Sequence, residues 1–368
     1  MKVDRIIIKE GSTSFTVPRE HSQKGPGSRG ESVFFNRQMA FNRDVSIMFL
    51  RSLDQKMRIV DSMSATGSRA LRIANEVPSV SVVANDIDPR AAKMIEDNVR
   101  LNGLNNVTVT NEDLSCLLSR EVFDYVDLDP FGSPMPFFHA SIRGVKRHGI
   151  LALTATDTAV LAGARRRKCE RRYMARPLSG PICHEAGLRI LLGSLGRELA
   201  RFDRGMVPLL SFYSDHYFRV HVRCLAGAAK ADETLEQIGW MSYDRKTLRR
   251  SVSCDPEEHP YGPMWLGQLH DPSTLNAMRS DEGLEEPRRC ARMLELWREE
   301  LNTPLTYEVS ELSSFLKLPT PPIDRLIRKL QENGSGSRNH ISPTAFRSTL
   351  PLEKILECYR EVVEIDNL

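Results

Sequence analysis

Residues 57–88, MRIVDSMSATGSRALRIANEVPSVSVVANDID, pass from an apolar run through a turn of small residues into a helical pattern and a second apolar run. Residues 57–61 have the length and β-branched content of a buried strand, residues 68–76 repeat at helical spacing, and residues 79–88 read as the next strand. Strand–helix–strand units with short loops build parallel sheets. The alternation continues outward, with a helix over 89–101, a third strand in 106–114, a fourth in 121–129 and a fifth in 148–156. Residues 207–211 and 216–224 then flank 212–215 at hairpin separation. The pattern predicts a Rossmann-like, doubly wound α/β sheet finished by an antiparallel hairpin.

Upstream, residues 1–20 read as a small hairpin, with alternation in 3–8 and a turn at Gly11–Ser12. The Gly/Ser-rich basic stretch 21–32 reads as a loop, and Asn42 or Asp44 is placed to cap a helix over 45–53. Downstream, small residues and Lys around 225–230 suggest a boundary between a domain of residues 1–226 and a smaller α+β domain of 227–368. Within the latter, helix 310–317, a turn, helix 323–332 and an extended stretch to Leu350 form a winged-helix pattern.

A chain of 368 residues that is 40% hydrophobic can bury a sizeable core. No apolar run reaches the roughly 18–20 residues of a membrane helix, and the first residues lack a signal-peptide pattern, so a soluble cytoplasmic protein without membrane attachment is expected. The seven cysteines include no C-x-x-C pair, which disfavours a disulfide framework or a cysteine zinc site. A net charge of +3 decides nothing about a polyanionic partner; local clusters carry that question.

The first strand ends on Asp61, and Ser62–Gly67 are small, so backbone N–H groups of this turn can approach a ligand closely. Only Gly67 is glycine, which departs from G-x-G-x-x-G and weighs against a pyrophosphate-bearing dinucleotide, hence against a dehydrogenase. S-adenosylmethionine, which carries no phosphate, fits better. Asp86, nineteen residues beyond Gly67, sits where an acid accepts hydrogen bonds from ribose hydroxyls, with Asp88 as a competitor. Asp113, beside Leu114, ends the third strand and can receive an adenine amino group. Asp61, Ser64, Gly67, Asp86, Asp113 and Leu114 are therefore the cofactor candidates, in the outline of a class I methyltransferase. Each acid alone could equally be a solvated loop carboxylate or helix cap; three at successive strand ends point to a ligand.

The fourth strand ends Val126-Asp127-Leu128-Asp129-Pro130-Phe131-Gly132-Ser133-Pro134. Amine-modifying methyltransferases of nucleic acids carry an acid or amide, prolines and an aromatic at this place, although here one Pro rather than two precedes the aromatic. An exocyclic amine is a poor nucleophile because its lone pair is delocalised into the ring. An acceptor such as Asp129 on the amine hydrogens localises that pair and takes the proton, while Phe131 stacks the extruded base. Displacement needs in-line positioning and no covalent nucleophile.

With these elements in order, the sequence resembles the tRNA (guanine-26, N2) dimethyltransferase family. The shared stretches are Phe34-Phe35-Asn36, Asn42-Arg43-Asp44, Asp61 with Ser64–Gly67, Asn85–Ile87, Asp127–Pro134, Thr154–Asp157, Cys183–Glu185 with Gly187–Ile190, Asp215–Arg219 and Tyr261–Pro263 with Trp265–Gly267. The resemblance implies mono- and dimethylation of guanine N2 in tRNA, with Asp129 as acid/base beside Pro130 and Phe131. It also implies contacts to S-adenosylmethionine from Arg43, Arg69, Asp86, Asp113 and Leu114. Relatives often read Asn-Pro-Arg where this chain has Asn36-Arg37-Gln38, so no role carries over to that arginine. Cys224 and Cys254 stand alone where some relatives hold Cys pairs, so no metal is expected.

Seven basic side chains crowd residues 164–177, and Arg165, Arg166, Arg167 and Lys168 are the natural phosphate contacts for tRNA, with Tyr173 as a stacking face. His184-Glu185 cannot begin H-E-x-x-H, because position 188 is Leu; both are helix-start or substrate-pocket groups. Asp157 and Asp215 stand near strand ends and can shape a base pocket or cap turns. Arg325, Arg328 and Lys329 share one side of a helix, by default a solvated face. No obligate protein partner is evident. The alternatives are methylation of an adenine or cytosine amine and a catalytically silent RNA-binding protein on the same fold.

Overall fold

The computed structural model describes residues 4–22 and 32–366. The N-terminal alternation forms a hairpin, β1 (Arg5–Glu10) and β2 (Thr13–Pro18), turning at Gly11–Ser12. Val3 and most of the expected 21–32 loop lie outside the described residues. Helix α1 (Ala40–Leu53) starts earlier than its expected 45–53 span, and Asn42 and Asp44 are buried inside it rather than capping it. Asp44 accepts the backbone N–H groups of Glu285 (3.1 Å) and Glu286 (2.7 Å) and pairs with Arg72 (2.7 Å). Asn42 accepts from Arg69 at 2.8 Å. Both side chains find buried donors, which compete successfully with a local cap.

The alternation then runs β3 (Met57–Asp61), α2 (Ser68–Glu76), β4 (Val80–Asn85), α3 (Pro89–Leu101), β5 (Val107–Thr110), α4 (Leu114–Arg120), β6 (Phe123–Leu128), α5 (Phe138–Gly144) and β7 (Val145–Ala155). Helices α6 (Thr158–Leu161), α7 (Arg166–Tyr173) and α8 (Cys183–Ala200) lead to β8 (Arg204–Ser214) and β9 (Tyr217–Ala226). The strands form one seven-stranded sheet in the order β5-β4-β3-β6-β7-β9-β8. Neighbours from β5 to β7 are parallel, and β9 runs antiparallel to both β7 and β8, as the sequence pattern predicts. Successive strand residues face opposite sides: Val60, Val126 and Leu151 pack towards α8, whereas Ile59, Tyr125 and Ile150 pack towards α1.

Gly227 precedes α9 (Ala228–Glu236), β10 (Ile238–Tyr243), β11 (Arg250–Ser253) and β12 (Tyr261–Trp265), followed by α10 (Pro272–Ala277) and α11 (Pro287–Glu299). Packing runs through the proposed 226/227 division: Ile238, Met241, Met264 and Trp265 share the core that α8 covers. The winged-helix element consists of β13 (Tyr307–Glu308), α12 (Val309–Leu316), α13 (Ile323–Glu332), β14 (Ser337–Arg338) and β15 (Ala345–Arg347), with α14 (Leu352–Asp366) behind it. Its three short strands pair in the order β13-β15-β14, beside a core that includes Leu312, Leu326, Leu330, Phe346 and Tyr359 and takes in Leu248 from between β10 and β11.

Glu185 of α8 clamps this element to the sheet domain. It pairs with Arg189 (2.8 Å) and Arg347 (2.9 Å) and accepts the backbone N–H groups of Leu305 (3.1 Å) and Thr306 (3.0 Å). Burial opposes its charge, but Arg347 and Arg189 outweigh it and hold the carboxyl at about 2. Arg347 continues to Glu300 (2.5 Å), which also accepts from Asn339 (2.9 Å) and meets His340 Nδ1 at 2.5 Å. His270, Glu300 and His340 bring ligand-type atoms within 4.8 Å of one another. Both Glu300 oxygens are taken by these donors and His270 Nδ1 faces the Ser211 N–H at 3.4 Å, while among the described residues His270 Nε2 and His340 Nε2 are buried without a hydrogen-bond partner. Among the described residues, no helix is long and apolar enough to cross a membrane.

Candidate active site

A cavity of about 580 Å³ opens at the carboxyl ends of β3, β4, β5 and β6, the edge where ligands of such sheets bind. Asp61, Ser64, Asp86, Asp113 and Leu114 line it, together with Arg43, Arg69, Asp129, Pro130 and Phe131. Gly67 stands behind the wall as the residue before α2. Its φ of +79° favours glycine, and Ile95 Cγ1 lies 3.1 Å from where a Cβ would sit, leaving little room for a side chain.

Each acid is fixed by the local backbone. Asp86 accepts the N–H groups of Ala65 (2.8 Å) and Asp88 (2.9 Å), so the second strand tip holds the turn after the first. Asp113 caps α4 through the Ser115 N–H (2.7 Å), and Asp88 caps α3 through that of Arg90 (2.8 Å). Capping and cavity lining coincide at both, so these readings were never exclusive. Asp61 is different: among the described residues its Oδ2 is buried without a hydrogen-bond partner. Burial and the neighbouring Asp127 push its carboxyl up to about 7.

Beneath the cavity lies a buried ion network. Arg219 of β9 forks onto Asp127 at 2.5 and 3.0 Å, and Tyr125 donates to the same carboxylate at 3.1 Å. Burial would raise Asp127, but Arg219 and Arg69 prevail and hold it at about 2. Arg69 lies 3.6 Å from Asp127, donates to Asn42 and Ser46 at 2.8 Å each, and pairs with Asp129. Burial disfavours its charge, yet the acids around it raise its pKa and keep it cationic. At the cavity edge Arg43 forks onto Glu10 of the hairpin at 2.6 and 2.7 Å.

The loop after β6 is latched to the end of β7. Gly132 N–H donates to Thr156 Oγ1 (2.7 Å), and Thr156 N–H returns a bond to the Gly132 carbonyl (2.9 Å). Phe131 is left half exposed, and Phe34 meets it edge-on with ring centres 4.6 Å apart. Phe34, Ile87 and Thr156 also line the cavity; the sequence offers them only as members of the shared stretches, with no role assigned to any of the three. Phe34 lies in no periodic element, and Ile87 reads as a strand residue although it is 64% exposed at the rim. The ordered Thr154–Asp157 stretch was the one available signal for Thr156.

The substrate candidates are not gathered there. Arg165, Arg166, Arg167 and Lys168 are exposed at the start of α7; Arg166 pairs with Glu170 (2.7 Å). Tyr173, expected as a stacking face, is fully buried, because α7 turns that side against the core. Asp157 accepts the Tyr173 hydroxyl (2.7 Å) and pairs with Arg172 (3.2 Å). His184 stacks on Tyr213 with ring centres 4.1 Å apart, and burial lowers its pKa. Asp215 closes the β8–β9 turn at φ +51° and pairs with Arg289 of α11 (2.6 Å).

The family model of N2,N2-dimethylguanosine tRNA methyltransferases matches residues 11–360. The chain is 35% identical to the tRNA (guanine(26)-N(2))-dimethyltransferase of Pyrococcus horikoshii over 98% of this chain and 100% of that one. It is 39% identical to the enzyme of the same name from Methanocorpusculum labreanum over 96% of each. The structure of Trm1 from Pyrococcus horikoshii with S-adenosyl-L-methionine superposes with a TM-score of 0.88 at 35% identity, covering 96% of this chain and 99% of that one. With model and relatives spanning nearly its whole length, the chain belongs to the N2,N2-dimethylguanosine tRNA methyltransferase family.

Proposed function

We propose that this chain transfers one or two methyl groups from S-adenosylmethionine to the exocyclic N2 of guanine 26 in tRNA. The observation that carries the reading is a single cavity onto which four successive strand tips deliver Asp61, Asp86, Asp113 and Asp129, with Phe131 at its rim.

The donor set fits the cofactor. The orphaned, buried Asp61 Oδ2 calls for a donor, which the ammonium of the methionine moiety supplies. Asp86, held by the Ala65 and Asp88 N–H groups, lines the cavity where its carboxylate oxygens can accept ribose hydroxyls. Ile87 offers an apolar face for adenine, with Asp113 and Leu114 beside it, and Arg43, Ser64, Arg69 and Gly67 shape the remaining wall. When bound, S-adenosylmethionine supplies an electrophilic methyl group on its sulfonium.

Asp129 accepts a hydrogen of the guanine amine, localises the nitrogen lone pair and takes the proton released on methylation. Arg69 donates to Asp129 Oδ2 and fixes the orientation of that carboxylate from one side, and among the described residues Oδ1 accepts no hydrogen bond. Phe131 stacks the flipped base with Phe34 against its edge, and Pro130 stiffens the loop between acid and aromatic. The exposed cations at the start of α7, Arg165–Lys168, contact tRNA phosphates.

The test is incubation with labelled S-adenosylmethionine and unmodified tRNA, followed by digestion to nucleosides. Label in N2-methylguanosine and its dimethyl form is expected. Label in methyladenosine or methylcytidine, or none at all, overturns the proposal.

A further inference from the structure

Tyr173 sits where the exposed basic helix meets the catalytic loop, and it touches neither the cavity nor solvent. Its hydroxyl accepts from Ser133 Oγ (2.9 Å) and donates to Asp157 Oδ1 (2.7 Å). Ser133 belongs to the loop that carries Asp129 and Phe131, and its Oγ also faces the Met135 N–H at 3.4 Å. The other Asp157 oxygen pairs with Arg172, whose side chain is 40% exposed on α7. A continuous polar path thus runs from a surface cation through Asp157 and Tyr173 to the loop. It has no packing alternative: Ser133 and Tyr173 are both buried, so a broken link strands a donor or acceptor.

We propose that Tyr173 is a positioning residue that holds the catalytic loop in register and couples it to tRNA contact at α7. The coupling rests on the function proposed above. Thr156 secures Gly132 on one side of the loop and Tyr173 secures Ser133 on the other, so between them they set where Asp129 and Phe131 stand. A phosphate that engages Arg172 competes with Asp157 for the guanidinium, and the change reaches Ser133 through one hydroxyl.

The test is steady-state kinetics of Tyr173→Phe, which keeps the ring and removes both bonds. The expected result is a fall in kcat of about ten- to a hundredfold, with KM for S-adenosylmethionine within twofold and one cofactor still bound per chain. Ser133→Ala cuts the same path at its other end with less disruption and is expected to match. Asp157→Asn keeps an oxygen for the tyrosine hydroxyl and is expected to retain several-fold more rate than Asp157→Ala. Tyr173→Phe combined with Asp157→Ala is expected to be no worse than the poorer single variant. An unchanged kcat in Tyr173→Phe and Ser133→Ala, or additive losses in the double variant, overturns the proposal. A wild-type chain that leaves guanine N2 unmethylated overturns the function itself, so the two failures are distinct.

Discussion

Arg69 and Asp129 form an ion pair that ties the first turn of α2 to the tip of β6. The guanidinium is shared with Asn42, Ser46 and Asp127, so the carboxylate inherits its aim from three elements at once. Asp129→Ala is expected to abolish methyl transfer and leave S-adenosylmethionine affinity within a few-fold. Arg69→Lys loses the planar fork and is expected to lower kcat by about tenfold or more. Isothermal titration beside single-turnover rates checks both; loss of cofactor binding in Asp129→Ala reassigns that residue to the cofactor.

With Asp61 as the proposed partner of the cofactor's ammonium, cofactor binding is expected to depend on pH. Its carboxyl is raised from 3.8 to about 7, so below pH 7 it holds a proton that an incoming ammonium must displace. Affinity is expected to rise about tenfold per pH unit up to 7 and to fall again once the α-amino group deprotonates near pH ~8. Without ligand the sign reverses: the folded state binds the extra proton, and stability declines as pH climbs from 3.8 to about 7. Asp61→Asn is expected to flatten the acid limb of the affinity profile, and a persisting limb assigns that proton elsewhere.

Arg165, just before α7, and Arg167 and Lys168 on it are exposed, whereas Arg166 is engaged by Glu170. Replacing the first three with Ala is expected to weaken tRNA binding and reduce its salt dependence by roughly 0.8 in the log–log slope per lost contact. Filter binding across a salt series measures it, and an unchanged slope excludes this patch.

Glu185 supports the winged-helix element against the sheet domain. Its carboxyl is depressed from 4.5 to about 2, so the stability it contributes is present above pH 4.5 and lost as pH falls towards 2. Glu185→Ala leaves Arg189 and Arg347 buried without their shared partner and is expected to cost roughly 3–5 kcal/mol. Glu185→Gln is expected to weaken the loss of stability towards acid pH, the remainder coming from depressed acids such as Glu300 and Asp127. Chemical denaturation at pH 7 and pH 3 separates these outcomes.

The parallel half of the sheet was legible because β3 to β6 are short apolar runs that end on or just before acids, and each run could be read without its neighbours. The cofactor candidates followed from the same local grammar, which is why Asp61, Asp86 and Asp113 meet at one cavity. What sequence could not supply were partners set by tertiary contact. Asn42 and Asp44 look like helix caps until buried arginines claim them. Tyr173 looks like a stacking surface until the helix is seen to turn inward. Glu185 meets Arg347 across 162 residues of chain, a separation at which no spacing rule operates. Phe34 faces Phe131 from a stretch without periodicity, so only folding brings the two rings together.

The bond between Glu10 and Arg43 gives the opening hairpin a consequence beyond its size. A deletion that trims β1 and β2 as surface decoration strips the counter-charge from an arginine whose fork would then face the ligand space bare. Such a shortened chain should fold less securely, and its vestibule should trap buffer anions where the parent's does not.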